Sequence, residues 1–179
     1  MTDNVSHIPV LLDEVLNHTK NLKDGILIDA TFGLGGYSKA FLENTNCDVF
    51  AIDRDPDARV YANKLSKKFK GRFSFHNGKF SELFALKNNK KMNNIIGIAF
   101  DLGVSNLQIN KTERGFSFKN DGPLDMRMSK KGLNAEEFIN FVDEKTLANI
   151  LFEFGDEIYS RRIAKAILLE REKEKISST

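Results

Sequence analysis

A short apolar run leads directly into a cluster of glycines near the start of the chain. Residues 26–28 are Ile-Leu-Ile, and Asp29 is followed by Ala-Thr-Phe-Gly-Leu-Gly-Gly-Tyr-Ser. This pattern is typical of a buried parallel strand that ends in a tight turn and passes into a helix. Glycine lacks a Cβ atom, so such a turn can approach a ligand closely, while the helix start offers unpaired N–H groups. The stretch therefore predicts a ligand site in an α/β fold.

Two kinds of cofactor suit a turn of this type. A dinucleotide-binding turn has the pattern G-x-G-x-x-G and places a pyrophosphate at the helix N-terminus. Here Gly33 and Gly35 are followed by Ser38 where the third glycine would stand. Asp29 would repel a pyrophosphate but would attract an ammonium group. The turn therefore favours S-adenosylmethionine, which has an ammonium group and no phosphate, over NAD. An ordinary turn without a ligand stays open at this point.

Acidic residues follow three of the four predicted strands. Asp29 is the first, Asp53 follows the apolar residues 49–52, and Asp101 follows residues 95–100. In an open α/β sheet the carboxyl ends of the strands meet at one edge, where ligands bind. Three carboxylates at one edge repel each other unless something accepts their charge or their hydrogen bonds. Asp53 also has the spacing from the glycines that suits an acid on the two ribose hydroxyls.

An aromatic residue follows the remaining strand. Alternating residues 72–76 predict this strand, and Phe80 comes just after it, so Phe80 is a candidate to lie against an adenine ring. A place in the core is an equal alternative. Asp55 and Pro56 predict a helix start. The lysine-rich residues 87–94 are expected to form a solvated loop.

The segment 112–128 has no clear periodicity but is rich in glycine, aromatic and arginine residues. Linkers rarely carry so many large apolar groups, so we expect an ordered functional loop. Four of its side chains are candidates for RNA contacts. The cations Arg114 and Arg127 could bind phosphates, and the aromatic rings of Phe116 and Phe118 could stack on bases. In the alternative, the aromatics are buried and the arginines pair with Asp121 and Asp125.

Composition narrows the class of protein less than the motifs do. The chain has 27 Lys and Arg against 25 Asp and Glu, so its net charge of +2 does not by itself indicate a nucleic-acid-binding protein. The single cysteine, Cys47, cannot form an internal disulfide and has no neighbours suited to a zinc site, so no metal is expected. No apolar run has membrane-spanning length and the N-terminus lacks a signal segment, so we expect a cytoplasmic protein that does not bind membranes.

The last third of the chain is predicted to be helical. Asn134 with Glu137, and then Asp143, have the pattern of helix N-caps, and a third helix follows through residues 158–168. No further strand is predicted after residue 100. A four-stranded sheet would leave one side of the fourth strand uncovered. We therefore expect the chain to stop within a helical insertion, before strands that would complete the sheet.

Five motifs together are similar to those of one known family. They are Asp-Ala-Thr-Phe-Gly-x-Gly-Gly (29–36), Ala-Ile-Asp-Arg-Asp-Pro (51–56), Gly-x-Phe-Ser (78–81), Asp-Leu-Gly-Val-Ser (101–105) and Glu-Arg-Gly-Phe-Ser-Phe followed by Asp-Gly-Pro-Leu-Asp-Met-Arg-Met (113–128). With these motifs the chain resembles the bacterial RsmH (MraW) family of 16S ribosomal RNA cytosine-N4 methyltransferases. The last motif is the most specific, and the resemblance covers nearly the whole chain.

The resemblance implies a class I methyltransferase fold that depends on S-adenosylmethionine. This fold is Rossmann-like, with a parallel sheet and flanking helices, and carries a helical inserted domain; both parts are expected to be incomplete here. Residues 1–108 would form the N-terminal part of the methyltransferase domain. Residues 109–179 would form the functional loop and the start of the inserted domain. The implied reaction is methylation of N4 of the cytosine at position 1402 of 16S rRNA in the small ribosomal subunit.

The family also implies roles for particular residues. By motif match, the methionine part of the cofactor would be bound by Gly35, Gly36 and Tyr37. Its ribose would be bound by Asp53 and its adenine by Phe80. Asp101 and Gln108 would complete the cofactor site, which from the residues alone also includes Asp29 and Gly33. Asp101 is in addition the candidate catalytic residue, because hydrogen bonding to the cytosine amine can localise its lone pair.

Two other functions compete with methyl transfer. An NAD-linked oxidoreductase is disfavoured by Asp29 and by the missing third glycine. A ribosome-assembly factor that binds RNA or S-adenosylmethionine without turnover would share the same binding motifs.

Overall fold

A computed structural model of the chain describes residues 9–90 and 92–179. The chain forms two compact units, one extending to Leu107 and the other comprising Gln108–Thr179. Within the described residues, no helix is both long enough and apolar enough to cross a membrane.

The first unit is built on four parallel strands. They are β1 (Ile26–Asp29), β2 (Asp48–Asp53), β3 (Phe73–Asn77) and β4 (Ile95–Ala99). Their order in the sheet is β3-β2-β1-β4, with every neighbouring pair parallel. This is the beginning of the Rossmann strand order, in which the direction of winding reverses beside β1. The predicted α/β fold with a parallel sheet is confirmed.

One helix precedes the first strand and the other three connect the strands. These helices are α1 (Leu12–Thr19), α2 (Gly36–Asn44), α3 (Arg59–Lys68) and α4 (Leu83–Asn89). A short 3₁₀ turn at Pro56–Ala58 precedes α3, and the Asp55 side chain accepts a hydrogen bond from the Asp57 N–H, as the sequence predicts for an N-cap. The loop expected from residue 87 was wrong in part, because α4 continues to Asn89. Leu83 and Leu86 of this helix pack against the sheet, which stabilises helix where polar composition alone indicates a loop.

The core of this unit occupies both faces of the sheet. Leu27 and Val49 lie in a cluster that includes Phe41 of α2, whereas Ile28 and Phe50 belong to a second cluster. Successive residues of a strand point to opposite faces, so continuous apolar runs result when both faces are covered. The edge of the sheet is less protected. Among the described residues no strand pairs with the outer side of β4, and Ile98 is half-exposed there.

Helices α5 (Asn106–Asn110), α6 (Ala135–Phe141), α7 (Glu144–Glu153) and α8 (Ser160–Lys173) follow. The predicted caps are confirmed: the Asn134 side chain accepts from the Glu137 N–H, the Glu137 carboxylate accepts from the Asn134 N–H, and the Asp143 side chain accepts from the Thr146 N–H. The small core of the second unit contains Leu147, Ala148 and Ala164. Between α5 and α6 the chain has little regular structure.

Candidate functional site

The acidic residues that the sequence indicates as candidates lie at or just after the carboxyl ends of the strands. Asp29 ends β1, Asp53 ends β2, and Asp101 lies two residues after the end of β4. The turn after β1 is bound to its neighbours by backbone hydrogen bonds, from the Ala30 N–H to the Ala99 oxygen at 2.9 Å and from the Phe32 N–H to the Ile52 oxygen at 3.1 Å. The glycine turn therefore lies at this edge of the sheet.

Asp53 binds the glycine turn directly. Its Oδ2 accepts a hydrogen bond from the Gly33 N–H at 2.6 Å, and its Oδ1 accepts one from the Asp55 N–H at 2.8 Å. Burial raises the pKa of Asp53, while the Asp55 and Gly33 N–H groups act in the opposite direction. A carboxylate oxygen can accept two hydrogen bonds, so each oxygen keeps capacity for a ligand hydroxyl. Asp53 can thus hold two adjacent hydroxyls while it fixes the turn.

Asp29 is enclosed by the protein. It is only 1% exposed, and its Oδ2 accepts hydrogen bonds from the Ser38 hydroxyl at 2.7 Å and the Ser38 N–H at 3.1 Å. Burial raises the pKa of Asp29 to about 6, although hydrogen bonds from Ser38 and from the Thr31 N–H lower it. Asp29 therefore ties the end of β1 to the first turn of α2. Its contact with a ligand ammonium group stays a prediction.

The three glycines of the turn differ in how closely other atoms would approach an added Cβ atom. Gly33 has a φ angle of +53°, and a Cβ atom there would stand 3.7 Å from the Ser105 side chain, in ordinary van der Waals contact. Gly35 has a φ angle of +83°, and a Cβ atom would lie 2.7 Å from the Phe32 ring. A Cβ atom at Gly36 would overlap Pro9. Glycine is thus required at 35 and 36 by close packing within the protein, whereas at 33 it is favoured by the left-handed backbone conformation alone.

Tyr37 lies at the start of α2 beside this turn. Its hydroxyl donates a hydrogen bond to the Val10 backbone oxygen. Partial burial raises the pKa of Tyr37, and so do the carboxylates of Asp101 and Asp29. The ring therefore lies within the electrostatic reach of the acidic edge, while its contact with a methionine group stays a prediction.

Thr31 connects two of the acidic residues, a link that the sequence analysis missed. The Thr31 hydroxyl accepts a hydrogen bond from the Asp101 N–H at 2.7 Å, and the Thr31 N–H donates to Asp29. The Asp101 backbone is held in this way while its side chain is exposed to solvent. The signal available in the sequence was a hydroxyl residue two positions after the acid of β1.

Phe80 forms an aromatic pair with Phe100, which the sequence analysis also missed. The ring centroids are 5.6 Å apart and the rings are nearly perpendicular at 89°. Both rings are about half-exposed, so they form part of the surface and not of the core. Phe100 immediately precedes Asp101 at the end of a strand, and this position is the sequence signal that could have identified it as a site residue. An exposed aromatic pair at this edge can contact a planar ring.

The turn that carries Phe80 is supported by a polar pair. His76 Nε2 lies 3.4 Å from Glu82 Oε2, and Glu82 Oε1 accepts a hydrogen bond from the Lys79 N–H at 3.2 Å. The Lys79 N–H is the largest cause that lowers the pKa of Glu82. These contacts bridge the end of β3 and the start of the following helical turn.

The remaining candidates lie in the second unit. Gln108 is its first residue and is buried. Arg114 is 3% exposed, and its guanidinium donates hydrogen bonds to the Arg127 and Met128 backbone oxygens at 2.9 and 3.0 Å. Arg127 pairs with Asp125, with 2.6 Å between Nη2 and Oδ2. Both guanidinium groups thus bind the protein itself. The role of Gln108 at a cofactor and of the arginines at RNA stays a prediction.

The aromatic candidates of the same segment differ in exposure. Phe116 is partly buried, with its ring centroid 5.9 Å from the Arg114 guanidinium carbon, whereas Phe118 is 92% exposed. Within residues 9–90 and 92–179, no group of three or more His, Cys, Asp or Glu is arranged to hold a metal ion.

The parallel strand order β3-β2-β1-β4, with the glycine turn after β1 and the acid at the end of β2, places the first unit in the class of Rossmann-like domains, in which ligands characteristically bind at the carboxyl edge of the sheet. The chain belongs to the MraW methylase family, whose family model matches residues 4–179.

Two similar curated relatives have the same name. The chain is 49% identical over 174 residues to "Ribosomal RNA small subunit methyltransferase H" of Rickettsia canadensis (strain McKiel), which covers 97% of this chain and 56% of that protein. It is 47% identical over 173 residues to the protein of the same name in Rhodospirillum rubrum, with 97% and 53% coverage. The chain therefore spans little more than half the length of these relatives.

Among solved structures, an rRNA methylase from Streptococcus thermophilus is similar at a TM-score of 0.44 and 19% identity, over 55% of this chain and 58% of that chain. A putative methyltransferase from Streptococcus mutans in complex with SAH is similar at a TM-score of 0.43 and 19% identity, over 56% of each chain. The strand order of the sheet and the family match define the fold.

Proposed function

We propose that this chain forms the cofactor-binding part of a methyltransferase that uses S-adenosylmethionine and methylates N4 of a cytosine in 16S rRNA of the small ribosomal subunit. The family match and the names of the relatives support this reaction class. The observation that carries the proposal is the carboxyl edge of the sheet, where Asp53 holds the Gly33 N–H beside the exposed pair Phe80 and Phe100. Such an enzyme would act in the cytoplasm, where small subunits are assembled.

The residues at this edge fit S-adenosylmethionine. The remaining acceptor capacity of Asp53 suits the two ribose hydroxyls, and the Phe80 and Phe100 rings suit the adenine. The edge carries the carboxylates of Asp53 and Asp101, and it favours a cofactor with a positive sulfonium and ammonium over one with a pyrophosphate. This charge pattern also disfavours the NAD-linked alternative.

The cofactor, when bound, supplies an electrophilic methyl group on its sulfonium. The acceptor, a cytosine N4 amine, is a weak nucleophile because its lone pair is delocalised into the ring. Asp101 is exposed and its backbone is fixed through Thr31, so its carboxylate is available to accept a hydrogen bond from the amine. That bond would localise the lone pair and orient the amine toward the methyl group. The target base must leave its stack to reach such a site.

Calorimetric titration of the 179-residue chain with S-adenosylmethionine and with NAD tests the cofactor. We expect only S-adenosylmethionine to bind, and Asp53→Ala to weaken binding by about 10- to 150-fold, because it removes hydrogen bonds to a charged acceptor. Asp48→Ala, at the opposite and exposed end of the same strand, is the matched control and should bind normally. Binding of NAD, or a folded chain that binds neither ligand, would contradict the proposal for this chain.

Transfer of labelled methyl groups to small-subunit RNA tests the reaction. We expect N4-methylcytosine in nuclease digests analysed by mass spectrometry, and no label after Asp101→Ala. A chain that binds S-adenosylmethionine and small-subunit RNA but transfers no label would support the non-catalytic assembly factor instead.

A further inference from the structure

Phe118 has an unusual environment for a large apolar side chain. At 92% it is the most exposed large apolar residue in the described part of the chain. The three residues that follow it, Lys119, Asn120 and Asp121, are polar and also exposed. Protein interfaces usually bury an anchor residue within an apolar core. An exposed aromatic ring followed by polar residues suits a ligand with one flat apolar face.

The backbone on both sides of Phe118 is fixed. Gly115 has a φ angle of +67°, and a Cβ atom there would lie 2.8 Å from the Asp125 nitrogen. A Cβ atom at Gly122 would overlap the Thr112 backbone. At both ends of the segment 115–122 the backbone thus runs so close to neighbouring backbone that no side-chain atom fits between them.

Further contacts fix the same segment. The buried Arg114 guanidinium binds the backbone oxygens of residues 127 and 128. The Thr179 N–H donates to the Gly122 oxygen and the Leu124 N–H donates to the Ser177 oxygen, both at 3.0 Å. Near the ring, the Ser117 hydroxyl accepts a hydrogen bond from the Lys119 N–H at 3.3 Å. Phe118 is therefore presented to solvent from an anchored loop, which reduces the entropy lost when the ring binds a partner.

The charge of this region suits a nucleic acid. Residues 111–131 contain six Lys or Arg and only three Asp or Glu, although the whole chain is nearly balanced. Arg114 and Arg127, the candidates for phosphate contacts, bind backbone oxygens and Asp125. Lys119 is exposed directly beside Phe118. A cation next to a stacking ring matches one nucleotide, whose base has a π face and whose phosphate is negative.

We infer that Phe118 stacks on an unpaired base of the RNA substrate and that Lys119 contacts a phosphate beside that base, while Arg114 and Arg127 build the loop that holds them. The inference rests on the proposed function, and it assigns a recognition role to a residue outside the cofactor site. Stacking requires a base that is not already stacked in a duplex, so single-stranded RNA is the expected ligand.

The chain contains no tryptophan, so Phe118→Trp introduces a single fluorescent reporter at this position. We expect a cytosine-rich single-stranded RNA oligonucleotide to quench this tryptophan and the same sequence in a duplex to leave it nearly unchanged. Phe141→Trp, which replaces another exposed phenylalanine at 84% exposure in α6, is the matched control and should not respond. Equal quenching of both reporters, or quenching by the duplex, would overturn the inference.

Binding of the labelled oligonucleotide, followed by fluorescence anisotropy, measures the contribution of the ring. We expect Phe118→Ala to weaken binding by about 5- to 150-fold, Phe118→Tyr to retain it, and Phe141→Ala to have no effect. Calorimetry with S-adenosylmethionine separates the two proposals. Unchanged RNA affinity of Phe118→Ala together with normal cofactor binding would refute the stacking role alone. If the unsubstituted chain bound neither the RNA oligonucleotide nor S-adenosylmethionine, both proposals would be refuted.

Discussion

The carboxylate of Asp53 accepts a hydrogen bond from the backbone N–H of Gly33, with 2.6 Å between Oδ2 and the nitrogen. This hydrogen bond joins two separate elements of the fold, because Asp53 is the last residue of β2 and Gly33 lies in the turn after β1. One acid thus fixes the glycine turn and keeps acceptor capacity for a ligand. If the proposed cofactor binds here, this part of its site is formed before the ligand arrives, which would lower the entropic cost of binding.

Replacement of Phe100 tests whether the aromatic pair forms the adenine side of the site. We expect Phe100→Ala to weaken S-adenosylmethionine binding by about 2- to 12-fold, because an aromatic pair contributes about 0.5–1.5 kcal/mol beyond its buried area. Calorimetry on the folded variant measures the effect. Phe84→Ala, at a 77% exposed position of α4, is the control. Equal affinities of the two variants would place the adenine elsewhere.

The close packing of Gly35 can be separated from its backbone conformation. Gly71 has nearly the same φ angle, +82° against +83°, but has no atom within 4 Å of a Cβ position. We expect Gly71→Ala to lower the free energy of unfolding by about 1–2 kcal/mol, the cost of a left-handed residue. Gly35→Ala should cost about 2–5 kcal/mol, because the new methyl group also meets the Phe32 ring. Denaturant unfolding compares the two variants, and equal costs would show that the ring moves freely.

The buried carboxyl of Asp29 should make stability depend on pH. Its pKa is about 6 in the folded protein and 3.8 is the ordinary value, so the folded state binds more protons between those pH values. The contribution of this group to stability is then full below pH 4 and is lost as the pH rises through 6, a change of about 3 kcal/mol. Asp29→Asn cannot ionise, so the stability of this variant relative to the unsubstituted chain should increase between pH 4 and 7.

Ser38→Ala provides the second arm of this experiment. The Ser38 hydroxyl stabilises the Asp29 carboxylate, so its removal should raise the pKa of Asp29 further and extend the pH window upward. Denaturant unfolding at a series of pH values measures both variants. A stability difference between Asp29→Asn and the unsubstituted chain that does not change with pH would contradict the burial of this charge.

The two arginines of the 111–131 segment should differ in their effect on stability. Arg114 is buried and binds two backbone oxygens, so Arg114→Met should lower the free energy of unfolding by about 2–4 kcal/mol. The Arg127 side chain is 29% exposed and its partners are Asp125 and the Gly132 backbone oxygen, so Arg127→Met should cost less, about 1–2 kcal/mol. Thermal or denaturant unfolding measures both. A larger effect at Arg127 would reverse the assigned order.

Much of the secondary structure of both units could be predicted from the sequence because the relevant signals are local. The apolar runs predict β1 and β2, and the caps at Asp55 and Asn134 appear as expected, since each involves residues two or three positions apart. The loop expected at residues 87–89 failed because α4 is stabilised by contacts with the sheet, and packing of that kind is invisible to local composition.

The sequence by itself determined which kinds of residue lie at the edge of the sheet, because the strands and the residues that follow them can be recognised from the order of residues. Only the tertiary structure decided what each residue binds there. Asp29 turns inward to Ser38, Asp53 binds Gly33, and Phe80 pairs with Phe100. These partners are 9, 20 and 20 positions apart in the printed sequence. Burial and hydrogen bonding between such residues depend on how the elements pack, and no local pattern encodes that packing.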